Sequence, residues 1–365
     1  MKKRITALML AALITLTLAG CGGGRGVLTF NNAFSALSSE TTGYKETDPP
    51  AGYRETLSYT AEYHAEGYNF TKDSSLSDRV NISASGTYTS SLEVMGVLPA
   101  GVVTDITIPE DAAVYHMTTK LILNVEYTFP GNEENNYTAT DTITAEVYFL
   151  PFSESYMPLY SNTVSEYTNL NVSSGGAFCS TVKSSAEVLY NSGSYTIRSR
   201  ATEYRVSDAE QNLEDIELTE NTYEYSTKTV IDNAQLIFAT RNIELATEST
   251  YVLPVVSSGY GEPTDLLVAN DQEYSRNDVN ISYNGSAYTG AATLREMSFA
   301  VNSATTSGSN QYVYIIKEAL KDGDNTVVPW IAAPYMIVSP MNAYGSFVRT
   351  GSLVCTLGSI EITVI

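Results

Sequence analysis

"TVIDNAQLIFATRNIEL", residues 229–245, breaks the pattern that governs the rest of the chain. Elsewhere apolar and polar residues alternate almost one by one. Here Leu236, Ile237 and Phe238 run together behind Asp232 and an amide, and Arg241 follows them. The Asp232 carboxylate can accept from the free amides of a first helical turn. Ala234, Gln235 and Leu236 propagate such a turn well. Ile231, Gln235, Phe238 and Asn242 form one strip and Ala234, Ile237 and Arg241 another. The apolar arc is therefore broad, as for a helix lying against a sheet. The stretch predicts a helix over 233–242; a buried strand is the competing reading, because the segment is short. Arg241 reads as half of an internal ion pair or a cap for carbonyls, with a ligand contact as the alternative.

Around this segment the period is two. In "ETLSYTAEYHAEGYNF", Leu57, Tyr59, Ala61 and Tyr63 fall on one side and Ser58, Thr60, Glu62 and His64 on the other, the mark of a half-buried strand. Val80, Ile82 and Ala84 repeat it. So do Leu121, Leu123, Val125 and Tyr127, with Ile122 out of step, then Ile143, Ala145, Val147 and Phe149. Tyr195 and Ile197, then Met297, Phe299 and Val301, then "QYVYIIK" and "SIEITVI" continue the series. Turn signals such as "PGNEENN", "NSGS", "NGSAYTG" and "KDGDN" separate the runs.

Many strands joined by short turns predict an antiparallel meander with one apolar and one hydrated face. Residues 112–129 and 137–150 read as one extended hairpin. The 27 tyrosines, against 10 phenylalanines and one tryptophan, suit strands with wet edges. A wide twisted sheet curls, and its hollow apolar side needs a cover. The expected fold is mainly β: a large curved antiparallel sheet, or half-barrel, over 55–365, with the helix on its concave face. The alternative is two β-sandwich domains divided near "NVSSGGAF" (171–178). Residues 27–54 read as an N-terminal arm.

The N-terminus reads as an export signal. Lys2, Lys3 and Arg4 precede the apolar "ITALMLAALITLTLAG", which is short for a membrane span. Leu18-Ala19-Gly20-Cys21 resembles the bacterial lipobox. That resemblance implies cleavage after residue 20, acylation of Cys21 (palmitate-type chains) and a membrane anchor without a spanning element. Residues 21–26, with "GGGRG", then serve as the lipidated cysteine and a flexible tether. The expected location is the extracytoplasmic face of the cell membrane, with the outer surface of a single-membrane cell favoured. The formal net charge of −21 opposes nucleic acid as a partner.

Two cysteines remain, Cys179 and Cys355. In an exported chain they permit one disulfide; two buried thiols are the other reading. No Cys/His metal spacing occurs, and no cofactor is implied. Ser180-x-x-Lys183 matches one element of a penicillin-recognising signature, but its companion elements are missing. His64 and His116 sit in strand-like runs. Asp322, Asp324 and Asn325 alternate as calcium-loop ligands do, without the closing glutamate. These absences favour a non-enzymatic role.

Asp232, Leu236, Ile237, Phe238 and Arg241 also resemble the helix signature of an uncharacterised bacterial envelope family. In that family a curved sheet wraps a helix, as in the lipoprotein-localisation carriers. Pro329 and Trp330 in "NTVVPWIAAPYMIV", then Gly351, Leu353 and Leu357, resemble its closing strands, and "LSYTAEY" (57–63) its opening one. The proline and tryptophan stand in the reverse order, and residues near 90–175 would be insertions. The resemblance implies a half-barrel that holds an acyl chain or is packed shut, and no catalytic residues. Leu236, Ile237, Phe238 and Arg241, with Trp330, are the residues expected to meet an apolar or amphipathic ligand. The alternative function is a structural or adhesive surface module that binds protein or glycan through its exposed hydroxyls and tyrosines.

Overall fold

The computed structural model describes residues 29–30, 49, 51–69, 81–110, 112–129, 131, 133–151, 156–173, 176–205, 218–225, 230–241, 243–244, 250–257, 264–301, 311–343 and 348–364. Cys21 and the rest of the segment read as an export signal lie outside them, as does most of the expected N-terminal arm.

Parity of the side chains builds the wall. In one strand Leu121, Leu123, Val125 and Tyr127 are buried, while Lys120, Asn124 and Glu126 between them are exposed. Apolar side chains on one face and hydrated ones on the other drive the face inward as the sheet curls.

The strands are β1 (Thr29–Phe30), β2 (Tyr53–Asn69), β3 (Asn81–Met95), β4 (Val114–Thr128), β5 (Tyr137–Phe149), β6 (Pro158–Ser173) and β7 (Gly176–Asn191). Next come β8 (Ser194–Arg205), β9 (Thr219–Glu224), β10 (Ile231–Asp232), β11 (Ile243–Glu244), β12 (Thr250–Val256) and β13 (Thr264–Tyr283). The last are β14 (Ser286–Val301), β15 (Gln311–Ile316), β16 (Leu320–Asp322), β17 (Asn325–Val328), β18 (Pro334–Ala343) and β19 (Val348–Val364). A 3-10 turn, Asn233–Gln235, leads into the helix α1, Leu236–Arg241.

Fifteen strands form one sheet in the order β10-β12-β13-β14-β15-β18-β19-β2-β3-β4-β5-β6-β7-β8-β9. The expected hairpin of 112–129 with 137–150 is β4 with β5, paired from Tyr115↔Phe149 to Tyr127↔Tyr137. Within the stretch 171–178, β6 pairs with β7 up to Ser173↔Gly176, so both sides of the alternative division belong to one sheet. Two pairings depart from the expected antiparallel pattern: β10 with β12, and the ends of β13 with β19, are parallel.

The sheet curls until its first strand reaches its own far wall. β10 stands at one end of the strand order, yet Asp232 accepts hydrogen bonds from Ser161 on β6 and Tyr190 on β7. Val230 and Val256 pack there with Val188, Tyr190, Tyr195 and Ile197. The β13–β19 contact closes the sheet again on the other side. The result is a barrel-like roll with the short helix inside it. The buried-strand reading of 233–242 is therefore corrected: Asp232 caps the 3-10 turn that leads into the helix, and the α-turns span Leu236–Arg241. β9 is an exposed edge guarded by Glu220 and Glu224.

Two glycines allow close approach on the inner face. A Cβ on Gly351 would overlap the hydroxyl end of Tyr63, and one on Gly86 would overlap the Ile122 carbonyl oxygen. The second neighbour is backbone, so only a shift of strand β4 could relieve it. Gly86→Ala is expected to destabilise the protein by about 1–3 kcal/mol, read from urea unfolding; an unchanged midpoint would contradict this geometry.

Candidate functional site

The helix is fixed at both ends by groups that share no sequence neighbourhood. At its start Asp232 has extended backbone (φ −78°, ψ 145°), and Ala234 N–H donates to its Oδ1 at 2.7 Å. Its Oδ2 accepts from Ser161 Oγ at 2.5 Å and Tyr190 Oη at 2.6 Å. Burial pushes the Asp232 carboxyl above its ordinary pKa, against the pull of these three hydrogen bonds. Gln235 donates through Nε2 to the Tyr156 carbonyl at 2.7 Å.

At its end Arg241 makes a forked, buried ion pair with Glu55: Nη1 to Oε1 is 2.5 Å and Nη2 to Oε2 is 3.0 Å. The same guanidinium donates to the Ile331 carbonyl, and Tyr53 Oη donates to Glu55 Oε2 at 3.1 Å. Burial opposes the Arg241 charge, but Glu55 outweighs it and raises its pKa. Arg295 completes this end by reaching the carbonyls of Thr240 and Ile243.

Between these fixings the side chains face protein. Leu236, Ile237, Phe238 and Arg241 are between 0 and 5 % exposed. The Phe238 ring meets Phe149 at 5.2 Å, Tyr156 at 5.3 Å and Tyr115 at 5.9 Å. Trp330 is half-buried; its Nε1 donates to the Ile316 carbonyl at 3.2 Å. Its neighbour Ile331 supplies the carbonyl that Arg241 binds. The five residues expected to meet a ligand are thus brought together, four in the helix and one beside its C-terminal clamp. All five are engaged by the chain itself, so a ligand would reach the helix only by displacing it.

Of the two readings of the cysteines, the structure has the free thiols rather than the bridge. Cys179 on β7 and Cys355 on β19 are free thiols, with β2 to β6 between their strands. Both pack against the same core, and burial pushes each up to about 12, helped at Cys179 by the Asp141 carboxylate. Such thiols are poor nucleophiles. Among the described residues no group of three or more His, Cys, Asp or Glu is placed to hold a metal ion. His64 is exposed beside Glu62, and His116 lies 3.5 Å from Glu146 and stacks on Tyr148.

The outer wall carries an arrangement that the sequence reading did not single out. Register places Ser83, Glu126 and Thr138 in one rung across β3, β4 and β5, and Ser85, Asn124 and Thr140 in the next. All six are exposed, and together with Tyr63, Ala84, Val125 and Ala139 they line a groove of about 710 Å³. Thr140 Oγ1 donates to Asn124 Oδ1 at 3.2 Å. Two rungs of hydroxyls around a carboxylate and an amide offer both donors and acceptors to a polar ligand. Strand alternation alone would have placed these residues outward; only the register shows that they are neighbours.

No family model and no curated protein matches this sequence. Among solved structures it is similar to a β-barrel-like protein of the domain of unknown function DUF1849 from Brucella abortus. That match has a TM-score of 0.40 and 6 % identity, over 86 % of this chain and 99 % of that one. It is also similar to the transport unit of the autotransporter AIDA-I from Escherichia coli, with a TM-score of 0.24 and 8 % identity, over 91 % and 97 %.

Asp141 is a further inward carboxyl, on the same face of β5 as Ile143, Val147 and Phe149. Burial lifts its pKa from 3.8 to about 6, opposed by Thr168, whose N–H and hydroxyl both donate to Oδ1. A raised folded-state value means that the native protein holds this proton where the unfolded chain has lost it. The associated stability is present below pH 3.8 and is lost as pH rises through about 6. Asp141→Asn should therefore stabilise the protein at pH 7 by roughly 1–3 kcal/mol and leave stability near pH 3.5 unchanged. Guanidinium unfolding at the two pH values checks this; a variant less stable at pH 7 would contradict it.

Proposed function

We propose that this protein is a non-enzymatic envelope lipoprotein, held at the extracytoplasmic face of the membrane by acylated Cys21, whose outer wall binds a hydroxyl-rich ligand of glycan type. The observation that carries this reading is the pair of exposed rungs, Ser83-Glu126-Thr138 and Ser85-Asn124-Thr140, around one groove. A sugar offers many hydroxyls that both donate and accept, and side-chain hydroxyls, an amide and a carboxylate answer them. The polarity of the wall supports the same side of the molecule. The roll is apolar inside and hydrated outside, the reverse of a barrel that spans a membrane. Engagement of the helix side chains by the protein's own core favours this outer-wall reading over carriage of an acyl chain inside.

Titration calorimetry with soluble fragments of the host's envelope polysaccharides tests the reading. Binding is expected to weaken at least tenfold in Glu126→Ala and in Asn124→Ala, with the thermal unfolding midpoint unchanged. No heat with any fragment would argue against it. So would native mass spectrometry of protein from its own host that shows one lipid mass bound in every preparation, because that outcome restores the carrier.

A further inference from the structure

Three of the exposed large apolar side chains gather at one end of the roll. Val97 and Val103 are each 73 % exposed and Val364 is 45 % exposed. Gly52 N–H donates to the Val94 carbonyl at 2.9 Å, and Val364 pairs with Tyr53. The start of β2, the end of β3 and the end of β19 therefore meet here. The helix lies at this end too, since its clamp residue Glu55 stands two residues into β2 and Phe238 packs on Tyr115 and Phe149.

The segment that carries Val97 and Val103, residues 96–104, "GVLPAGVVT", has no ionisable side chain. It is held in shape. Gly101 and Val102 N–H groups both donate to the Pro99 carbonyl, and Thr104 Oγ1 donates to the Tyr190 carbonyl at 2.8 Å. The nearest carboxylate in the sequence, Asp105, accepts from Ser192 N–H. Leu98, Ile106 and Ile108 turn in to pack with Val114, Leu150 and Leu159, yet Val97 and Val103 point out. An ordered, uncharged, apolar tip is unusual on a chain of net charge −21.

The path of the chain supplies the occupant. β1 pairs with β11 directly after the helix, Thr29 opposite Glu244. Cys21 is eight residues from Thr29, a span of at most about 29 Å when fully extended. An acyl group on Cys21 therefore keeps the helix end of the roll close to the bilayer. We propose that this end faces the lipid surface, and that the 96–104 tip with Val97 and Val103 rests in the interfacial layer as a second, uncharged contact. The proposal rests on the lipid anchor put forward above. A chain this acidic is repelled by anionic headgroups, so an apolar contact is the kind available to it. A few valines do not hold a protein on a membrane; the covalent anchor makes their contact intramolecular, and they then set its orientation.

The test uses full-length protein, acylated in a bacterial host and reconstituted into phosphatidylcholine vesicles with and without brominated acyl chains. Val103→Trp and Val97→Trp are each compared with the wild type, whose single Trp330 sets the baseline, and with Val164→Trp on the side wall. Bromolipid is expected to quench the new tryptophan at 103 and 97 at least twofold, and at 164 not at all. Flotation with the vesicles but no added quenching at 103 and 97 overturns the proposal and spares the anchor. Failure to float removes the anchor and the proposal together. Absent quenching with concentration-dependent dimers in sedimentation would instead assign the valines to a contact between copies of this chain, and also overturns it.

Discussion

The buried pair of Glu55 and Arg241 is the constraint on which the rest of this fold turns. Two charges leave water, and the cost is met by a forked contact, the Ile331 carbonyl and the Tyr53 hydroxyl. Removing one partner from such a pair costs about 3–5 kcal/mol, because the other charge stays buried alone. The pair joins three distant parts of the chain: the start of β2, the end of the helix and the turn before β18. It also ties the helix to strand register. A slip of β2 by one residue would turn Glu55 outward and leave the guanidinium unpaired in the core.

With that lock in place the helix acts as the core of the roll. Asp232 fixes its start to β6 and β7, Arg241 fixes its end to β2, and Phe238 fills the space between with a cluster of rings. A curved sheet has a hollow side that water or a ligand would otherwise occupy; here the chain's own segment occupies it. The proposed reading therefore places recognition on the outside. The outer faces of β3, β4 and β5 are hydrated and hydroxyl-rich, and the helix end of the roll carries the apolar tips. The two surfaces divide the labour that the proposals assign: one meets ligand, the other meets lipid.

Much of the fold was legible because period two is hard to mistake over long strands. The runs at 57–63, 121–127 and 143–149 each kept the parity read from them, and the break at 232–241 marked the helix and its cap. The helix came out shorter than 233–242, with a 3-10 turn at its start, since a boundary is set by local hydrogen bonds that composition does not show. The partner of Arg241 was also within reach. Glu55 shares parity with Tyr53 and Leu57, and Asp141 with Ile143 and Val147, so each is a carboxylate on an apolar face. Arg295 stands likewise with Met297 and Phe299. Charges at inward positions announce buried pairs or networks. What parity could not supply was register, and therefore which outward hydroxyls become neighbours. Nor could it supply the curl that brings β10 onto β6, because that contact is set by the twist accumulated over the whole sheet.

Native-state hydrogen exchange of the helix amides, Ala239 to Arg241, measures directly whether the helix is a fixed core or a movable plug. If the roll is locked as described, these amides exchange only through global unfolding, with the same protection as the amides of Leu121 and Leu123 in the central strands. Rapid exchange at 239–241 while those strand amides stay protected would mean that the helix leaves the roll on its own, and would contradict the account.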